Sequence, residues 1–146
     1  MQLPKSLRLT QAERPRQYDP IATRRRKMIE KLDEQLVGFM QAGEGKTPSR
    51  SISRKVRDSD TGILVLKEFD RAIKPWWWKG TDGNFYIQLK YGSRPIELAK
   101  GRPSIQAENA EGLERVIRDL IAAVQSGDMD GHLKDSAEAI RSKFKR

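Results

Sequence analysis

The sequence predicts an α+β fold with an N-terminal arm and an amphipathic helix, an antiparallel sheet of five to six strands, and two C-terminal helices. Three observations predict it. Apolar residues recur at helical spacing over 21–40 and again beyond residue 108, and they alternate with polar residues between 49 and 107. Glycine-rich turns separate the alternating segments. With 146 residues, the chain has the length of one ordinary domain.

The first third of the chain is predicted to be extended and then helical. Asp19 followed by Pro20 favours a helix start, because an Asp side chain accepts hydrogen bonds from free amides and Pro suits the first helical position. A polar stretch containing Gly and Pro ends that helix. The predicted organisation is an extended basic arm over 1–19, a helix over 20–42, a linker over 43–49, and a single globular domain of sheet and C-terminal helices over 50–146.

Three consecutive tryptophans, Trp76, Trp77 and Trp78, are the most informative feature of the chain. They lie in a predicted strand, where successive side chains point to opposite faces. We expect Trp77 to be exposed on the same face as Tyr86 of the next strand, with its two Trp neighbours in the core. The reverse register, with Trp77 buried, and a run that is packed throughout are the alternatives.

The remaining elements follow from turn and cap signals. Residues 80–84 contain Asp-Gly and Gly-Asn and predict a hairpin turn, because these residues accept positive φ. Asn109 and Gly127 bound a helix with a wide apolar stripe. A last helix over about 130–143 has few apolar residues, so we expect it to pack in an oligomer.

Positive charge is concentrated at one end of the chain, which has a formal net charge of +9. The first 57 residues hold 14 Lys and Arg against 6 Asp and Glu, whereas the last 39 hold 7 against 8. This polarity favours an acidic partner, most commonly nucleic acid. Four successive cations, Arg24 to Lys27, oppose the dipole at the start of the predicted helix. Phosphate binding by these cations would explain why they occupy an electrostatically unfavourable position. An ordinary solvated helix face is the alternative.

The residue types needed for catalysis or metal binding are scarce. The chain has no cysteine and a single histidine, His132, and we find neither a nucleophile elbow nor an acid–base pair. We therefore expect no enzyme activity, no cofactor and no metal. No apolar run approaches the ~18 residues needed to cross a membrane, and the N-terminus lacks the apolar stretch of a signal peptide. A cytoplasmic protein is expected.

The hairpin around the tryptophans combines rings with cations. A ring beside Lys or Arg can stack on a base while the cations hold phosphate, and base faces are accessible in single strands. The candidate nucleic-acid-binding residues are Trp77, Tyr86, Lys74, Lys79, Lys90, Arg24, Arg25, Arg26, Lys27 and Arg102. We therefore predict a non-catalytic protein that binds single-stranded DNA or RNA. A phage-type inhibitor or adaptor that binds a host protein complex through the same surface is the alternative.

Two sets of motifs resemble known families. The runs from Gly83 to Lys90 and from Lys100 to Ile105, followed by the helix from Asn109, resemble the transcriptional-coactivator family of positive cofactor four over about residues 50–126. This resemblance implies a four-stranded sheet plus a helix, a homodimer formed through the helix, and single-stranded DNA bound on the sheets. The Lys-Pro-Trp-Trp-Trp motif, with Tyr-Gly and Ile-Glu-Leu-Ala-Lys-Gly nearby, is similar to an uncharacterised family of small basic proteins from bacteria and their phages.

Overall fold

A computed structural model describes residues 2–14 and 18–144 of the chain. Its helices are α1 (Pro20–Gly43), α2 (Ala110–Ser126) and α3 (Asp130–Phe144). Its strands are β1 (Ser49–Arg57), β2 (Leu64–Ala72), β3 (Trp77–Lys79), β4 (Phe85–Gln88), β5 (Lys90–Tyr91), β6 (Arg94–Pro95) and β7 (Ser104–Ala107). The predicted α+β class, with one N-terminal helix and two C-terminal helices, is confirmed.

The strands form three antiparallel sheets instead of the single sheet of five to six strands that we expected. β1 pairs with β2, β5 pairs with β6, and the middle sheet has the order β3-β4-β7. Pro75 lies in the gap between β2 and β3 and has no N–H to donate to a strand ladder. The chain is interrupted again at Leu89, between β4 and β5. These two interruptions divide the alternating segment into separate ladders.

The local signals for helix ends and turns act as predicted. The Asp19 carboxylate accepts hydrogen bonds from the amides of Ile21 and Ala22, at 3.0 and 3.3 Å, ahead of Pro20. Asn109 caps α2 in the same way, and Gly127 ends that helix with a φ of 89°, a left-handed conformation that glycine adopts without steric cost.

The core lies between α1, α2 and one face of the β3-β4-β7 sheet, here called the inner face. Its buried apolar side chains come from both helices and from the strands, and include Met28, Leu32, Ile87, Leu89, Ala107, Leu113, Ile117, Leu120 and Val124. The α2 stripe recurs every three or four residues, so the whole apolar side of that helix is covered. The core thereby fixes α1 and α2 on one side of the sheet.

The β1–β2 hairpin buries little of its surface. Its strands are paired from Ser49 with Ala72 to Arg57 with Leu64, and the turn at 58–62 is closed by a 2.9 Å hydrogen bond from the Asp58 amide to the Ile63 carbonyl. Most of its side chains are exposed on both faces. A two-stranded ladder is only marginally stable alone, so the hairpin depends on its attachment at 48–49 and 72–73.

The two ends of the chain behave differently. Of the predicted arm over 1–19, Met1 and residues 15–17 lie outside the described residues, and the other arm residues have exposed side chains. α3 packs against α1 within the chain, burying Leu133, so its packing does not depend on an oligomer alone. Residues 145–146 lie outside the described residues.

None of the helices in the described ranges has both the length and the apolar composition of a membrane span.

Candidate functional site

The three tryptophans occupy three different environments. Trp76 is buried, with 9% of its surface exposed, whereas Trp78 is 41% exposed. Trp77 is half-buried against the core. The expected burial of Trp76 is therefore found, whereas the expected exposure of Trp77 and burial of Trp78 are wrong. Alternation does not extend to Trp76, because β3 begins only at Trp77.

The strand register places Trp77 on the inner face of the sheet. Trp77 lies opposite Ile87 and Trp78 lies opposite Tyr86, and directly opposed side chains share a face. The Trp77 ring contacts the Phe39 ring of α1 edge to face, with centroids 5.5 Å apart. The prediction that Trp77 and Tyr86 share a face is corrected: Trp78 is the partner of Tyr86.

Trp78 and Tyr86 form an aromatic pair on the outer face of the sheet. Their ring centroids are 5.6 Å apart and their planes differ by 18°, so they are stacked. The Tyr86 hydroxyl donates a hydrogen bond to Asp82. This bond lowers the pKa of Asp82 and raises the pKa of Tyr86. The neighbouring outward strand positions in the register are Gln88, Ser104 and Gln106, so the described outer face is polar beside the rings, with the Asp82 carboxylate bound to Tyr86.

A cluster of cations lies elsewhere, in a groove between α1, the segment 71–76 and the β5–β6 turn. We call it the basic groove, and its volume is about 770 Å³. Among the described residues that line it, seven carry positive charge: Arg24, Lys27, Lys31, Arg50, Arg71, Lys74 and Lys90. Glu34 is the one acidic residue among them, and Arg50 lies 3.2 Å from it in an ion pair. The basic groove is therefore strongly positive.

One buried polar side chain fixes the wall of the basic groove to α1. Gln35 is 4% exposed. Its amide nitrogen donates to the Lys74 carbonyl at 3.1 Å, and its amide oxygen accepts from the Trp76 backbone N–H at 2.8 Å. Both backbone groups belong to the segment around Pro75 that leaves the strand ladder. Gln35 thus replaces the missing strand partner and holds Lys74 and Trp76 in place.

The structure divides the predicted cations into two groups. Arg24, Lys27, Lys74 and Lys90 all line the basic groove. The other four predicted cations do not line it. Arg25 binds Asp130 of α3, with a distance of 2.8 Å from Nε to Oδ1. This contact raises the pKa of Arg25 and lowers that of Asp130.

Of the remaining predicted cations, Arg26 and Lys79 have local side-chain contacts, and Arg102 is placed by its backbone. Arg26 forms an ion pair with Glu30 one helical turn away, at 2.9 Å. Lys79 Nζ lies 5.8 Å from the centre of the Phe85 ring. Arg102 lies in an isolated bridge with Ala99 on the loop before β7. Helix geometry explains the division of the α1 cations, since adjacent residues are about 100° apart around the axis.

Sequence reasoning missed several residues of the basic groove: Lys31, Arg50, Arg71, Tyr91 and Gln35. A signal for Lys31 was available, because Arg24, Lys27 and Lys31 follow the i, i+3, i+7 spacing of one helix face. Gln35 was signalled by its position in an apolar stripe between Leu32 and Phe39. Arg50 and Arg71 gave no local signal, because they meet only through the pairing of β1 with β2.

In the described ranges, no three His, Cys, Asp or Glu side chains come together as a metal site.

In comparisons with protein-family models, curated proteins and solved structures, nothing matches the chain. The candidate site therefore consists of the basic groove and, on another surface, the Trp78–Tyr86 pair.

Proposed function

We propose that the protein is a non-catalytic, cytoplasmic protein that binds single-stranded nucleic acid in the basic groove. One observation carries the proposal: seven cations from α1, β1, β2, β5 and the segment between β2 and β3 converge on one open groove, and its single described carboxylate is already paired. Like charges held close together repel one another. Bound phosphates relieve that repulsion and release counterions, which favours binding.

The size of the basic groove favours a polyanion over a single small anion. Its seven cations line a volume of about 770 Å³. One phosphate could contact a few of them at a time. A chain of phosphates reaches all of them, and each contact adds to the affinity and to its salt dependence.

The aromatic lining favours a single strand over a duplex. Tyr91 is half-buried in the lining beside Lys90, and Trp76, which is buried, also contributes to the lining. A partly exposed ring such as Tyr91 can stack on a base, whereas a duplex hides its base faces within the stack. DNA and RNA single strands share this chemistry, so both are arms of the test.

The test is a fluorescence-anisotropy titration of labelled single strands and duplexes at two salt concentrations. The variant Lys27→Gln/Lys31→Gln/Arg71→Gln removes three groove cations. The matched control, Arg26→Gln/Arg118→Gln/Lys134→Gln, removes three cations that do not line the groove. We expect tighter binding of single strands than of duplexes. The groove variant is expected to weaken binding and reduce the salt slope by roughly 0.7 for each lost phosphate contact, with the control close to wild type.

Two results would contradict the proposal. Equal losses in the groove and control variants would mean that only net charge matters. A duplex bound as tightly as a single strand would exclude the stacking argument.

The outer face of the middle sheet favours a second candidate function, binding of a partner protein. Trp78 is 41% exposed and stacked on Tyr86, the neighbouring strand positions on that face hold uncharged side chains, and the Asp82 carboxylate accepts a hydrogen bond from the Tyr86 hydroxyl. Trp and Tyr are common in protein interfaces, whereas phosphate recognition needs cations. This face suits either the predicted homodimer or an inhibitor or adaptor role on a host protein complex. Sedimentation of the wild type and of Trp78→Ala tests the homodimer, which would dissociate in the variant.

A further inference from the structure

The β1–β2 hairpin has two faces of very different charge. Opposed side chains share a face, and the register pairs Arg50 with Arg71, Ile52 with Phe69, Arg54 with Lys67, and Val56 with Val65. These eight residues form what we call the cationic face of the hairpin. Over the described span 49–72, that face carries four cations and no carboxylate. Glu68 and Asp70 lie on the opposite face, across from Ser53 and Ser51.

Repulsion between opposed cations on the cationic face lowers the stability of the hairpin. Two of its cross-strand pairs, Arg50 with Arg71 and Arg54 with Lys67, are like-charge pairs, and Glu34 of α1 offsets part of the repulsion in the first by its ion pair with Arg50. Like charges directly opposite each other destabilise an antiparallel ladder. Moving Glu68 by one position along the strand would have placed a carboxylate beside these cations. A bound polyanion would turn the repulsion into attraction.

Between the two cation rows lies an accessible ring. Phe69 is 42% exposed, and the Arg54 guanidinium carbon lies 5.8 Å from its ring centre. The two cation rows are four residues apart, or about 13 Å at the rise of a strand. The order along the face is therefore a cation row, an aromatic ring, and a second cation row. This order suits a base stacked on the ring with phosphates on either side.

The cationic face is continuous with the basic groove. Arg50 and Arg71 are its first row and also line the groove. From that row, seven further paired residues of each strand extend about 23 Å away from the groove.

We propose that a bound single strand continues from the basic groove onto the cationic face of the hairpin, with Phe69 stacking on a base. This inference rests on the proposed function, since it takes the groove as the first part of the binding track. The protein then has two binding segments, and a strand too short to leave the groove contacts only one of them.

The test compares two neighbouring cations that differ in face. Arg54→Gln removes a charge from the cationic face, and Lys55→Gln removes the same charge from the opposite face of the same strand. Each variant is titrated with single strands of about 5 and about 20 nucleotides, a range that brackets typical site sizes. We expect Arg54→Gln to weaken binding of the long strand and lower its salt slope by about 0.7. Lys55→Gln should resemble the wild type, and neither variant should alter binding of the short strand.

A second pair of variants tests the ring. Phe69→Ala should weaken binding of the long strand by about fivefold to a hundredfold, the range expected for loss of one stacked base. Leu66→Ala is the matched control, because Leu66 is an exposed apolar residue of the same strand on the opposite face. Melting curves of the free variants verify that each remains folded. Phe69→Leu, which keeps an apolar side chain without a stacking ring, replaces Phe69→Ala if that variant unfolds.

The outcomes separate this inference from the proposed function. If the groove variant weakens binding of both strands while Arg54→Gln and Phe69→Ala match their controls, the hairpin inference is wrong and the groove proposal stands. If the groove variant binds like the wild type, the proposed function fails, and this inference fails with it. A duplex that depends more strongly on Arg54 than the long single strand does would also overturn the inference.

Discussion

At the scale of single residues, Gln35 has a larger structural role than its polarity suggests. A glutamine in the buried stripe of a helix would be costly if its amide had no partners, because buried polar groups need hydrogen bonds. Gln35 has two, to the Lys74 carbonyl and the Trp76 amide. It satisfies backbone groups that no strand serves, and it positions one wall of the basic groove.

We expect Gln35→Ala to destabilise the protein by about 1–3 kcal/mol, because it leaves buried backbone groups without partners. The measurement is urea denaturation, with Gln125→Ala, an exposed glutamine of α2, as the control. An unchanged unfolding midpoint would mean that water replaces the amide.

The tryptophan series gives the second prediction at this scale. Trp76→Ala should cost roughly 3–5 kcal/mol of stability, and Trp77→Ala a comparable amount, because both rings pack in the core. Trp78→Ala should cost about 0.5–1.5 kcal/mol, the value of one aromatic pair. Melting of the three variants measures this order. A larger loss in Trp78→Ala than in Trp77→Ala would contradict the register described above.

At the scale of elements, the close approach of α1 to β3 depends on a glycine. A Cβ built on Gly38 would lie 3.2 Å from the Trp77 ring and 3.3 Å from the Pro48 side chain. Helix glycines usually lower stability relative to alanine. Here the absence of a side chain allows α1 to lie directly on the inner face of the sheet.

We expect Gly38→Leu to destabilise the protein by about 1–3 kcal/mol, because the added carbons overpack this contact. Gly43→Leu is the control on the same helix, since a Cβ there meets nothing within 4 Å. Equal melting temperatures for the two variants would refute the packing argument.

The elements themselves were largely predictable from the sequence, and the faces of the strands were not. The Asp19 and Asn109 caps, the Gly127 stop and the turn at 80–84 act through local chemistry, so the sequence contains the full signal for each. The face of Trp77 depends on where β3 begins, and that is decided by Pro75 and by Gln35 on another element. Local alternation contains no information about such a distant partner.

The same distinction explains the candidate site. Arg24 and Lys27 were identified because a charge run is visible in sequence. Their separation from Arg25 and Arg26 follows from helical spacing, and the contributions of Arg50 and Arg71 follow from strand pairing. Charge composition thus predicted the chemistry of the site, whereas its position needed the tertiary structure.

At the scale of the whole molecule, the contact between Arg25 and Asp130 joins the first helix to the last. The guanidinium lowers the pKa of the Asp130 carboxyl below its ordinary value of 3.8. A carboxyl with a lowered folded-state pKa stabilises the fold above its ordinary pKa, and that contribution is lost as the pH falls through the folded-state value.

We therefore expect Asp130→Asn to lower the melting temperature at neutral pH. The difference from the wild type should decrease as the pH falls below 3.8, where the wild-type carboxyl also becomes neutral. Thermal melts across that range measure it, with Asp135→Asn on the exposed side of α3 as the control. A difference that stays constant down to acid pH would show that charge is not its origin.

The three environments of the tryptophans also give the molecule an optical property. Trp76 forms part of the basic groove wall, whereas Trp78 faces outward on the middle sheet. Indole emission depends on its surroundings, and a dissolved quencher reaches only exposed rings. A ligand in the groove should change the emission of the buried Trp76 and leave the quenching of Trp78 unchanged. A protein bound on the sheet should instead protect Trp78 from the quencher. The intrinsic tryptophan fluorescence of the unlabelled chain therefore shows which surface is occupied.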